Sequence, residues 1–148
     1  MCLIVDANVA SLVFTPEPPK EFNPVTKALV RGDAVAVYGG QLTREYQKSH
    51  SVVRFLATLD RAGRAKQLPG HQIDTESARL AVEGACQSND HHVIAIALVG
   101  HVRLLCSRDA ALHADFTNKA LLDDPRGNVY QNETHTHLLR KHCAHGST

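Results

Sequence analysis

The chain has no tryptophan, and only four phenylalanines and three tyrosines among 148 residues. Recognition of nucleic acid by extended base stacking needs more aromatic surface than that. No stretch approaches the roughly 20 apolar residues of a membrane span. The amino terminus lacks a basic leader, and Asp6 interrupts its apolar run, so it does not read as a secretion signal. Cys2, Cys86, Cys106 and Cys143 include no CxxC pair. Their scatter predicts free thiols in a reducing cytoplasm, not a disulfide framework. Charge of one sign is also missing. A formal net charge of +1 excludes a uniformly basic polyanion binder, and local arrangement must supply any such site. There are no internal repeats or low-complexity segments. With 43% hydrophobic and 21% charged residues, the chain predicts one globular domain over 1–148, with 118–148 as its C-terminal extension.

What is present alternates between strand and helix. Cys2-Leu3-Ile4-Val5 is a short apolar run that reads as a buried strand, and Asp6 ends it. Residues 7–14 predict a short helix, and Pro16, Pro18 and Pro19 a loop. Asn23 reads as the cap of a helix that starts at Pro24 and stops near Gly32. Residues 34–38 predict a second buried strand, and Gly39-Gly40 a turn. A long helical pattern follows from Leu42, with Ser49 and Ser51 marking a break, and Pro69-Gly70 ends it. Asp74 reads as the cap of a helix from Thr75 to Cys86, and Asp90 as the cap of the next, His91 to Val99. That second helix is apolar on all sides, the pattern of a buried helix. Gly100 closes it. Arg103 to Cys106 predicts a third buried strand, followed by a helix after Asp109, a short strand at 128–130 and a terminal helix over 133–142. The alternation implies an α/β/α layered fold with a mostly parallel sheet. Ligands of such sheets bind beyond the carboxyl ends of the strands, and Asp6 and Asp109 both lie there.

Five acids could reach that rim: Asp6, Glu45, Asp90, Asp109 and Asp115. Carboxylates that share a cleft repel one another and take up protons. A bound divalent cation removes the conflict. Oxygen ligands without His or Cys in the same motifs suit Mg²⁺ or Mn²⁺ better than zinc. Each acid also has an ordinary reading. Asp74 and Asp90 could serve only as helix caps, Glu45 could be a surface residue in the first turn of its helix, and Asp115 could be solvated.

The strand ending Asp6-Ala7-Asn8, the acid Glu45 after the second strand, and the run NDHHVIAIALVGHVRLLCSRD together resemble the PIN domain family. The resemblance covers roughly residues 2–116, with the acids in order. It implies a three-layer α/β/α sandwich and Mg²⁺- or Mn²⁺-dependent endoribonuclease activity leaving 5′-phosphate and 3′-hydroxyl ends. It implies Asp6, Asp90 and Asp109 as metal-binding aspartates and Glu45 as the further catalytic acid. Asn8 matches a residue that helps hold the first aspartate, and Ser107 the hydroxyl that supports the site. Asp115 matches a variable extra acid. Asn89 stands where many members carry a second aspartate, and the tail from Asn118 onward is longer than in the smallest members. Two other families with acidic strand ends fit less well. Haloacid-dehalogenase phosphatases need an aspartate where Asn8 stands, and receiver domains need paired acids at the first strand.

Arg44, Lys48 and Arg108 flank the acids and are candidate RNA phosphate contacts. Arg54, Arg61, Arg64 and Lys66 would extend that surface, or form an ordinary solvated face. The tail THTHLLRKHCAHG gathers His135, His137, His142 and His145 beside Cys143, at spacings that fit no usual zinc pair. Its leucines predict packing, with His137 a candidate for approach to the site. The resemblance implies a toxin of a toxin–antitoxin pair or a nuclease subunit, restrained by a partner that covers the acidic cleft, and a homodimer. A catalytically silent scaffold and a nuclease for structured DNA are the alternatives.

Overall fold

The computed structural model describes residues 1–140. Leu3, Ile4 and Val5 of strand β1 (Cys2–Val5) are fully buried, as in a strand covered on both faces. Each such side chain contributes about 1.5–3 kcal/mol of hydrophobic stabilisation. After β1 come α1 (Ala7–Val13), α2 (Asn23–Arg31), β2 (Val35–Tyr38), α3 (Gln41–Tyr46), α4 (His50–Arg61) and β3 (Ala65–Gln67). Then follow α5 (Gly70–Glu83), α6 (His91–Gly100), β4 (Leu104–Cys106), α7 (Ala110–Phe116) and β5 (Asn128–Tyr130). A 3₁₀ helix, Glu133–Arg140, kinked at His135, comes last.

The five strands form one sheet in the order β3-β2-β1-β4-β5, and every pairing is parallel. The chain moves outward from β1 through β2 to β3, then returns to β4 on the other side of β1. Right-handed crossovers therefore place α1 to α4 on one face and α5 to α7 on the other, a three-layer α/β/α sandwich. Helix α6 packs on β1 and β2, and Val93 to Ala97 are fully buried, as its all-apolar sequence predicts. The strand order reverses between β1 and β4. Ligand crevices open at such a switch point.

Several local expectations are corrected. β3 went unread because two of its three residues are exposed and polar, and an edge strand of that kind carries no apolar run. Pro69 starts α5 instead of ending the preceding segment, so Asp74 lies inside the helix and caps nothing. Asn23 is the first residue of α2 and makes no side-chain cap. Gly100 belongs to α6, and His101 takes the left-handed position after it, at φ 55°. The predicted break between α3 and α4 is present, with Ser49 Oγ accepting from Val52 N at 3.4 Å. The turn into α3 needs glycine: a Cβ on Gly39 would meet the Leu68 carbonyl at 2.9 Å, and Gly40 has φ 55°. The terminal segment is 3₁₀, not α, and buries Leu138. His142, Cys143 and His145 lie outside the described residues. Cys86 and Cys106 are free thiols. Cys2 is disulfide-bonded, so the free-thiol expectation fails there. Pairing depends on proximity in the fold, and no short Cys spacing announces it. Among the described residues, no helix is long and apolar enough to cross a membrane.

Candidate functional site

The pairing of Val5 with Cys106 brings the residues that follow them together. Asp6 N donates to the Cys106 carbonyl at 3.0 Å. Ser107 Oγ donates to Asp6 Oδ2 at 2.7 Å and accepts from Asp109 N at 3.0 Å. One fully buried hydroxyl thus fixes the acid after β1 and the backbone of the acid after β4. Asp109 caps α7 through Oδ1, which accepts from Leu112 N at 3.1 Å, leaving Oδ2 outside that bond.

These residues border a cleft of about 470 Å³ that Asp6, Glu45, Asp90 and Asp109 all line. The structure therefore brings together the four acids predicted as the site. Asp90 occupies the cap position of α6 but makes no capping bond through its side chain, so capping does not account for its carboxylate. Glu45 lies near the end of α3, not in its first turn. Behind it, the fully shielded Tyr46 donates its hydroxyl to the Val5 carbonyl. Burial, reinforced by Asp6, pushes the Tyr46 phenol well above its ordinary value, and it stays a donor.

Two of the four acids, Asp6 and Asp90, are strained electrostatically. Burial pushes the Asp6 carboxyl above its ordinary value; the Ser107 hydrogen bond opposes this, while Asp90 and Asp109 push it further up. Burial also raises Asp90, against His92 and His91, with Glu45 and Asp109 adding to the rise.

The supporting residues divide. Ser107 holds Asp6 as expected. Asn8 lines the cleft but is exposed, and among the described residues no hydrogen bond joins it to Asp6. Asp115 is neither solvated nor in the cleft. It is 1% exposed, and its carboxylate accepts from Gln87 N at 2.7 Å, Ser88 N at 2.9 Å and Ser88 Oγ at 2.8 Å. Ser88 Oγ in turn accepts from Asp90 N at 3.3 Å. Asp115 therefore anchors the loop that presents Asp90.

Of the predicted phosphate contacts, Lys48 lines the cleft. Arg44 is exposed on α3 and does not line it. Arg108 stacks its guanidinium over the Phe22 ring, 4.9 Å from the centroid. Arg64 lies against Gly32, at the amino ends of the strands, and Arg54, Arg61 and Lys66 do not line the cleft. His137 is not among the lining residues. His135 accepts from Gln131 N through Nδ1 at 3.1 Å and meets the Tyr130 ring edge-on, which gives it a local packing role.

His92 was missed. It is 3% exposed, and its Nε2 pairs with Glu45 Oε1 at 2.8 Å. The available signal was a pair of imidazoles, His91 and His92, at the start of an otherwise apolar buried helix.

No protein-family model, curated protein or solved structure matches the chain. Fit to a cation rests on donor chemistry. Among the described residues, no three His, Cys, Asp or Glu side chains form a preformed metal group. Carboxylate donors suit Mg²⁺, which uses one or two of them and keeps several waters. They do not suit zinc, which takes a compact tetrahedral set.

Proposed function

We propose that the protein is a metal-dependent endoribonuclease of PIN type that hydrolyses RNA phosphodiester bonds. One observation carries the reading. Four carboxylates meet at the switch point of a parallel sheet, and burial with mutual repulsion raises two of them. A purely structural cleft gains nothing from that cost.

Asp6, Asp90 and Asp109 would hold the cation, Mg²⁺ or Mn²⁺. When bound, such an ion polarises a phosphodiester and lowers the pKa of a bound water. Ser107 keeps the Asp6 carboxylate in one orientation. The Asp115 anchor sets the position of Asp90 from below. Glu45, which also lines the cleft, would accept a proton from an attacking water. Lys48 supplies positive charge at the rim, where it contacts a phosphate without reading sequence. The acidic cleft also suits an inhibitory partner that inserts a cationic side chain, as in a toxin restrained by an antitoxin.

That no three-ligand metal group is preformed among the described residues favours one second reading, a catalytically silent binding module. Cleavage of labelled single-stranded RNA and DNA with Mn²⁺, with Mg²⁺ and with EDTA, beside Asp6→Asn, decides between them. The proposal expects metal-dependent RNA cleavage that Asp6→Asn removes. Preference for DNA would redirect it to a DNA nuclease. No cleavage and no rise in Tm with Mn²⁺ would leave the binding module, since a ligand of the native state must stabilise it.

A further inference from the structure

Helix α6 is apolar around its circumference, and its interior positions are closed to water. His91 and His92 break that pattern in the first turn, and of the two His92 is the buried one. A buried imidazole loses the hydration of its nitrogens unless protein groups replace it. Nε2 finds its replacement across the cleft wall, in Glu45 Oε1 at 2.8 Å. The bond joins α6 to α3, and so joins the segment bearing Asp90 to the segment bearing Glu45. A single residue, His91, separates Asp90 from the imidazole that grips Glu45.

Glu45 has reason to need that grip. Its side chain has three rotatable bonds and is 26% exposed. Helix α3 has only six residues, and a helix that short has little rigidity of its own. Tyr46, bonded to the Val5 carbonyl, fixes the backbone beside Glu45 but not the Glu45 carboxylate. His92 does the latter.

We propose that His92 is the positioning residue for Glu45, committing Oε1 so that the remaining carboxylate oxygen serves the cleft. This deepens the nuclease reading above and rests on it. The imidazole contacts neither substrate nor cation. It acts through Glu45, as partners of site carboxylates do elsewhere, where their loss costs about 10- to 100-fold.

The test measures kcat and KM for labelled RNA at saturating Mn²⁺, and Mn²⁺ binding to the RNA-free protein by calorimetry. The proteins are wild type, His92→Leu, His92→Gln and His92→Asn. His92→Leu keeps the bulk and removes the donor, so kcat should fall about 10- to 100-fold with KM for RNA little changed. His92→Gln places an amide N–H near the Nε2 position and should recover most of that loss. His92→Asn is too short to reach Glu45 and should not. Folding of each variant is checked by circular dichroism, and the Gln–Asn pair carries the test if His92→Leu fails to fold. Unchanged kcat in a folded His92→Leu, or equal losses in the Gln and Asn variants, overturns the assignment while leaving the nuclease reading intact. Wild-type protein that neither binds Mn²⁺ nor cleaves RNA overturns both.

Discussion

Two buried aspartates in this fold live under opposite conditions. Asp115 is 1% exposed and accepts three hydrogen bonds from Gln87 and Ser88. Asp6 is 5% exposed, takes one side-chain hydroxyl from Ser107, and faces Asp90 and Asp109. Charge-assisted bonds of the first kind replace the lost water. The second arrangement gives the carboxylate fewer donors, Ser107 and the Ala7 backbone, and adds like charge. Burial alone therefore does not mark a functional acid. A satisfied carboxylate is architecture, and a crowded, underpartnered one is a site waiting for positive charge.

The comparison is broken most directly by neutralising the cleft acids. Asp6→Asn and Asp109→Asn should each abolish RNA cleavage, a loss beyond the roughly 100-fold typical of supporting residues, with circular dichroism unchanged. Residual activity near wild type in either variant would remove that acid from the proposed machinery.

Asp115→Ala should act the other way, on the fold first. Three donors lose their acceptor, and destabilisation of about 3 kcal/mol is expected, measured by urea unfolding. Cleavage should fall as well, because the loop presenting Asp90 loses its anchor. A stable, fully active Asp115→Ala would dissolve the distinction drawn between the two aspartates.

Charge at the rim gives a smaller effect. Lys48→Ala should weaken single-stranded RNA binding and lower the salt slope by about 0.7, while Arg108→Ala, whose guanidinium is stacked on Phe22, should change it less. A larger effect for Arg108 would move the RNA path toward α2.

The smallest expected effect sharpens the electrostatic side. Asp6 and Asp90 bind protons more tightly in the folded chain than in the unfolded chain. Ionising them therefore costs stability as pH rises above the ordinary value of 3.8 and through their raised folded values, and the cost is complete above those. Without metal, Asp6→Asn should melt a few degrees higher than wild type at neutral pH, and the gap should close as pH falls toward 3.8. Mn²⁺ should narrow the same gap by stabilising only the wild type. A less stable Asp6→Asn at neutral pH would contradict the assignment of strain.

Legibility in the sequence followed burial. β1, β2 and β4 announce themselves as apolar runs, and α6 as a helix without a polar face. The shared rim of Asp6 and Asp109 follows from strands that end just before them, whereas the switch point appears only in the strand order of the fold. β3 was hidden because an edge strand with Lys66 and Gln67 exposed needs no apolar pattern. Asp74 looked like a cap because the Pro-Gly pair before it reads as a stop, whereas Pro69 begins the helix. Roles set by long-range contact were out of reach. Nothing near Asp115 in sequence reveals Ser88, and nothing near His92 reveals Glu45, 47 residues away. The pairing of Cys2 is hidden for the same reason.

The Ser107 bond to Asp6 spans 101 residues of chain. The first acid therefore leaves the ribosome long before the hydroxyl that orients it, and Asp109 follows only after that. A nascent or truncated chain that ends before residue 107 carries Asp6 but no cleft. Whatever chemistry the rim performs is therefore withheld until Ser107 and Asp109 have been made and have folded back onto Asp6.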